Sequence, residues 1–368
     1  MSLRQGTGIV VAAFAAALLL TGCTPAPTAP AAAAVSTSTP APTATAAPIP
    51  PTCAEMAPQA TLAALSADLE PQPPMEYTIA PPAEGTAAAS RAQFTTAVYP
   101  PSATTVLAAL QAGYFNCQWR SSDYSVNVEV LPRATAAFTA YTGATKYDIA
   151  TFDGLAGGDQ STGGCANGDG SFCEVEALAG TTWIAARVAS SDLPAADVPA
   201  IKQNLQAILT STLAVVKAAG PLVAAQPQPA SRWQSVGDCG KIDDALASVY
   251  PSAGGTHPEQ SLDITGADEP VFRAAVAQSG AFSCSTTAAT VVIVPGADAS
   301  APLAYTDATP PQMVSISGVV DARDACVGSQ PNQCWTEGYV DHALVTISQE
   351  ASATRRHAVL GEIAAGLG

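Results

Sequence analysis

From Tyr124 to Val130 the chain alternates: Tyr124, Val126, Val128 and Val130 fall on one side, and Ser125, Asn127 and Glu129 on the other. A period of two marks a strand with one face on a core and one toward water. Val291 to Val294 are apolar throughout, which predicts a strand that is short or covered on both faces. Glu174–Leu178 and Thr181–Val188, joined at Ala179-Gly180, read as a hairpin, and so do Trp335–Val340 and Ala343–Ile347, joined near Asp341-His342. Helices are predicted over Ala103–Ala112, capped by Ser102, and over Glu269–Ser279, capped by Asp268, with Gly113 and Gly280 in the C′ position. Two more follow the hairpins: Ala195–Val216 after Asp192-Leu193-Pro194, and Thr354–Ala365 after Ser352.

These elements occur twice in the same order. Gly113-Tyr114-Phe115-Asn116-Cys117 and Gly280-Ala281-Phe282-Ser283-Cys284 share the frame G-x-F-x-C, and each half has a C-x7-C pair, Cys165/Cys173 and Cys326/Cys334. Gln226-Pro227-Gln228-Pro229 separates the halves. The expected fold is α+β: two tandem, internally duplicated domains over 53–225 and 226–368. Each is an antiparallel sheet packed with helices and held by two disulfides.

The N-terminus reads as an address. Arg4 precedes an apolar run from Ile9 to Leu20, the length of a signal-peptide core and too short for a comfortable transmembrane helix. The run ends in Leu20-Thr21-Gly22-Cys23, which resembles a bacterial lipobox, so residues 1–22 are expected to be removed and Cys23 lipidated. Residues 23–52 then form an Ala/Pro/Thr-rich spacer: Thr24 to Thr52 carry no charge and no aromatic ring. Such a composition cannot build a core and favours extended polyproline II.

Composition narrows the picture further. The 368 residues carry a formal charge of −16, and removal of 1–22, which hold Arg4 and no acidic residue, leaves 13 basic and 30 acidic groups, a net −17. The acidic residues divide evenly, 15 to each half, and no Lys/Arg cluster exists, so no nucleic-acid partner is expected. Beyond Cys23 there are eight cysteines: Cys53, Cys117, Cys165, Cys173, Cys239, Cys284, Cys326 and Cys334. In an exported chain an even residual count implies disulfides. Each set of four allows three connectivities; first-to-second with third-to-fourth is favoured, because a C-x7-C pair closes readily across a Gly/Asn/Gln-rich loop. Structural zinc would use C-x2-4-C spacing, and neither a metal nor a cofactor is expected.

Catalytic signatures are sparse. His257, His342 and His357 have no HExxH or H-x3-H spacing, and G-x-S-x-G, S-x-x-K and P-loop motifs are missing. Asp341-His342 reads as a turn before it reads as a catalytic relay. Asn167 to Ser171 resembles the start of a calcium loop but has Leu178 where a bidentate Glu is needed. Trp119 and Trp335 stand close to cysteines and are expected to pack on the bridges.

Lipobox, Ala/Pro/Thr spacer, G-x-F-x-C, Cys117-Gln118-Trp119 and a valine-rich strand together resemble Ala-rich cell-envelope lipoproteins of actinobacteria. These have disulfide-bonded α+β domains, distantly similar to extracellular sensor domains of membrane kinases. The second half departs from the pattern in having Thr286 where the first has Trp119. The resemblance implies location and fold and supplies no catalytic residues. The expectation is therefore a non-enzymatic binding, sensor or scaffold module, anchored by lipid to the outer face of the cell membrane. Its partner would be a wall component, a small apolar ligand or an envelope protein, met in a groove between the halves. A solute-binding lipoprotein of a transporter and a carboxylate-based envelope hydrolase are the alternatives.

Overall fold

The computed structural model describes residues 52–71, 100–145, 147–167, 171–219, 233, 239–251, 257–259, 270–297, 311–326, 334–348 and 352–366. Cys23, the spacer up to residue 51, the 226–229 break and Asp268 and Glu269 lie outside them. Contacts gather Met1–Ala46 and Ala47–Gly368 into two units; all the described elements belong to the second.

The first half contributes α1 (Cys53–Met56), α2 (Gln59–Leu65), β1 (Glu70–Pro71), α3 (Pro100–Gln111), β2 (Phe115–Arg120), β3 (Tyr124–Leu131) and α4 (Thr135–Ala144). It continues with β4 (Ala150–Thr151), β5 (Gln160–Asn167), β6 (Ser171–Ala179), β7 (Thr182–Ser190) and α5 (Val198–Ala219). Its strands make one antiparallel sheet in the order β1-β2-β3-β7-β6-β5-β4.

The second half contributes α6 (Cys239–Val249), β8 (His257–Glu259), α7 (Pro270–Ser279), β9 (Phe282–Ser285) and β10 (Thr290–Pro295). There follow β11 (Gln312–Met313), β12 (Val320–Cys326), β13 (Cys334–Val340), β14 (Ala343–Ser348) and α8 (Ala353–Gly366). Its antiparallel sheet runs β8-β9-β10-β14-β13-β12-β11, which is the first sheet's order strand for strand. Among the described residues no strand pairs across the halves, and no helix is long and apolar enough to cross a membrane.

Each sheet has an outer and an inner face. On the outer side of the first sheet, α1, α2 and α5 cover Val126, Val128, Val175, Ile184 and Val188. On the outer side of the second, α6 and α8 cover Val291, Ile293, Val345 and Ile347. The inner faces share one core, and the helices in it are exchanged. α3 packs on α7 and on β10 and β14 of the second sheet, while α7 packs on β3 and β7 of the first. Leu107, Ala108 and Ala109 of α3 share one cluster with Val271, Phe272 and Ala275 of α7, and Tyr114 stands edge-on to Phe272. The space between the sheets is therefore filled by helices, not open as the groove expected from sequence.

Local chemistry explains the boundaries. The C-terminus of α3 closes as a Schellman motif: Gly113 has φ 84°, its N–H reaches the Leu110 carbonyl, and the Tyr114 N–H reaches that of Ala109. Gly280 takes the equivalent φ of 77° after α7. Ser102 is not the cap of α3, because the helix already begins at Pro100; proline suits a first turn, where no intrahelical partner waits for its missing N–H. Ser352 does precede α8, and its carbonyl receives the Arg355 and Arg356 N–H groups. The second hairpin turns on Asp341 and Asn-like left-handed geometry at His342, φ 47° and 57°, as a two-residue type I′ loop requires. The alternation of β3 does not mean a wet face: Asn127 and Glu129 are as buried as the valines, because the inner core covers them.

Candidate functional site

The polar residues on the inner face of the first sheet form the most unusual chemistry in the described structure. Cys173, Val175 and Ala177 of β6 point into the outer core, so alternation turns Glu174 and Glu176 inward. Cross-strand register then assembles rows: Glu176 lies opposite Ala185, which lies opposite Glu129; Glu174 lies opposite Arg187, which lies opposite Asn127. Glu129, Glu174 and Glu176 are 2%, 1% and 0% exposed. Carboxylates this deep are rare unless paired or protonated.

Tyrosines supply most of the donors. Tyr114 donates to Glu129 Oε1 at 2.6 Å, and Tyr141 and Tyr147 donate to Glu174 Oε1 at 2.7 and 3.2 Å. Tyr141 is carried by α4, which also seats Phe138 and Tyr141 against the ring of Trp183. Tyr147 lies over Gly164, where a Cβ would come within 2.3 Å of its ring; only glycine there leaves the space. Arg187 stacks over Phe172 at 3.8 Å from the ring centre. Neither oxygen of Glu176 has a hydrogen-bond partner, and the unpaired indole N–H of Trp183 acts on it from outside hydrogen-bonding geometry.

Burial, followed by the charges of Glu174 and Glu129, pushes the Glu176 carboxyl well above the usual range. Glu174 is raised as well, by burial, against the opposing pull of Tyr141, Arg187 and Tyr147. Burial and the same glutamates push the Tyr141 and Tyr147 phenols up, so both stay neutral donors. Residues two apart on a strand have Cα atoms about 7 Å apart. Two carboxylates at that spacing repel by roughly 2.4 kcal/mol at an effective dielectric of about 20. This repulsion adds to burial in favouring a shared proton on the pair.

The second half answers the same position differently. Glu176 and Glu337 are each the third residue after the fourth cysteine of their half, Cys173 and Cys334. Glu337 is fully buried, yet its carboxylate is ion-paired with the Arg323 guanidinium and accepts the Trp335 indole N–H at 3.2 Å. Arg323 is its register partner on β12. On the outer face of the same sheet, Asp324 accepts from the Thr336 hydroxyl and pairs with His357 Nε2 at 2.7 Å. The buried Arg356 donates from Nε to the Thr336 oxygen at 3.0 Å and reaches Asp324 with Nη2 at 3.8 Å. This network ties α8 to the sheet.

The cysteines pair as Cys53–Cys117, Cys165–Cys173, Cys239–Cys284 and Cys326–Cys334. The two short bridges join residues directly opposite on neighbouring strands. Trp119 shares the outer core with the first half's bridges. Trp335 lies one step along the strand from Cys334, where its indole N–H donates to Glu337. Trp183 and Trp233 are buried in the inner and second outer cores. Asn167 and Ser171 pair with each other, with residues 168–170 outside the description.

The glutamates themselves were hidden in the sequence, because acidic residues in an alternating strand read as a solvent face; the shared C-x-x-E was the available signal. Enclosed as they are, the carboxylates can hold and release protons but offer no entry for a substrate among the described residues. Two shallow open depressions lie on the surface formed by the described residues. One of about 310 Å³ involves Asp159, Thr182 and Lys217; another of about 380 Å³ involves Met313, Ile316 and Val319. Met313 and the neighbouring Val320 are 66% and 56% exposed. No group of three or more His, Cys, Asp or Glu among the described residues is arranged to hold a metal ion. No protein-family model, curated protein or solved structure matches the chain.

Proposed function

We propose that the chain is a lipid-anchored extracytoplasmic protein that acts by binding, as a sensor or scaffold module of the cell envelope. One observation carries the reading: of nine cysteines, eight close into four disulfides, and the ninth is Cys23 of the lipobox-like Leu20-Thr21-Gly22-Cys23. Disulfides of this number fit an oxidising compartment, and the cysteine left over is the one an acyl anchor needs. The resemblance to actinobacterial envelope lipoproteins supports the same location. The repeated strand order and disulfide pattern support an internal duplication as the origin of the two halves.

For binding, the supporting feature is the exposed apolar pair Met313 and Val320 beside the depression at Ile316 and Val319. Exposed apolar side chains grouped at a depression fit a small apolar ligand or an envelope protein better than a charged solute. Native mass spectrometry of the protein purified from its own membrane, followed by cross-linking in intact cells, tests this. A discrete carried mass, or a cross-link from residues 313–320 to one envelope protein, is the expected result. Protein that carries nothing and cross-links to nothing from that face refutes the binding reading.

A further inference from the structure

We propose that α4, together with Tyr147, forms a proton-operated cover on the inner face of the first sheet, seated while Glu174 and Glu176 hold a proton between them and released when both are ionised. The geometry comes first. α4 is fastened at two kinds of contact: Phe138 and Tyr141 rest on Trp183, and the Tyr141 and Tyr147 hydroxyls converge on a single oxygen of Glu174. Glu176, two residues along the same strand, is wholly buried with both oxygens unpartnered. An ionised carboxylate in that position is compensated by the Trp183 indole and the Arg187 charge without a hydrogen bond in good geometry, whereas a protonated one carries no charge to compensate.

The groups facing this pair have been traced through each neighbouring element. β3 brings Glu129, held by Tyr114; β7 brings Arg187 and Trp183; β5 places Thr162 and Gly164 opposite, neither ionisable. α7 meets the sheet with apolar side chains and carries Arg273 at an exposed position. Among the described residues three carboxyls thus face the Arg187 guanidinium, and the second ionisation of the Glu174/Glu176 pair adds negative charge under α4. Water is then the better partner, and the element that must move to admit it is the one bound through Glu174. The second half shows the contrast: at the equivalent position Glu337 has Arg323 and Trp335, so its charge is already compensated and no release is built in.

The test is amide hydrogen exchange on the full disulfide-bonded protein from pH 5 to pH 9, corrected for intrinsic rates, with α8 as internal reference. Protection over residues 135–144 is expected to fall at least tenfold more than protection over residues 353–366. Glu176→Gln, which imitates the protonated acid, is expected to flatten that difference, and Glu337→Gln to leave it in place. Equal pH dependence in α4 and α8 overturns the proposal, as does an undiminished drop in Glu176→Gln. Should Glu176→Gln fail to fold, Glu174→Gln and the wild-type profile decide it alone.

Discussion

Replacing Arg323 by Met removes the ion-pair partner of a fully buried carboxylate, Glu337, while keeping most of the side chain's volume. Glu337 keeps the Trp335 indole N–H and loses the Arg323 counter-charge. Breaking a buried pair from one side costs about 3–5 kcal/mol. Because 12% of the Arg323 side chain is still exposed, some solvent screening remains, and the lower end, about 3 kcal/mol, applies. For a unit of this size each kcal/mol corresponds to about 2–4 °C in Tm, so a drop of about 6–12 °C is expected by calorimetry, with a matching shift in the urea midpoint. The double variant Arg323→Met/Glu337→Gln removes the stranded charge and keeps an acceptor for Trp335, and it should recover at least half the loss. A single-variant cost below about 1 kcal/mol, the scale of a surface pair, refutes the reasoning. So does a double variant no more stable than the single.

Other outcomes follow from the same structure. Glu174 and Glu176 are raised in the folded chain, so folding takes up protons that the unfolded chain releases above about pH 4.3; stability is greatest in acid and falls as pH rises toward the folded values, and urea midpoints at pH 5, 6.5 and 8 should decline in that order. Gly164→Ala drives a Cβ to 2.3 Å from both the Tyr147 ring and the Ala150 carbonyl, with an expected cost of about 1–3 kcal/mol and loss of the Tyr147–Glu174 hydrogen bond in the tyrosine ultraviolet difference spectrum. Opening Cys53–Cys117, with its separation of 64 residues, should destabilise by about 4.3 kcal/mol on loop entropy, against about 2.6 kcal/mol for Cys165–Cys173; paired Cys→Ser variants compared by urea unfolding check the ranking.

Much of the fold was legible because local rules and the core agreed. The G-x-F-x-C frame placed a helix end and the start of a strand in each half, and the left-handed Gly113 and Gly280 are where that frame required them. The C-x7-C spacing gave cross-strand bridges. What stayed hidden depends on contacts distant in sequence. Alternation in β3 shows which residues share a face, not what lies on it, and it is α7 from the other half that covers the inner side. The exchange of α3 and α7 has no local signature, since an apolar helix face does not say which sheet it meets. For the same reason Glu129, Glu174 and Glu176 passed as ordinary solubilising charges. Their role follows from register across three strands and from tyrosines up to 33 residues away.

The proposal that Cys23 carries a lipid anchor is tested most directly by intact-mass measurement of the protein extracted from its own membrane, without reduction. The account predicts a mature chain beginning at Cys23, heavier by a diacylglyceryl group, with the other eight cysteines oxidised in pairs. A chain that begins elsewhere, or that carries Cys23 as an unmodified thiol, contradicts it.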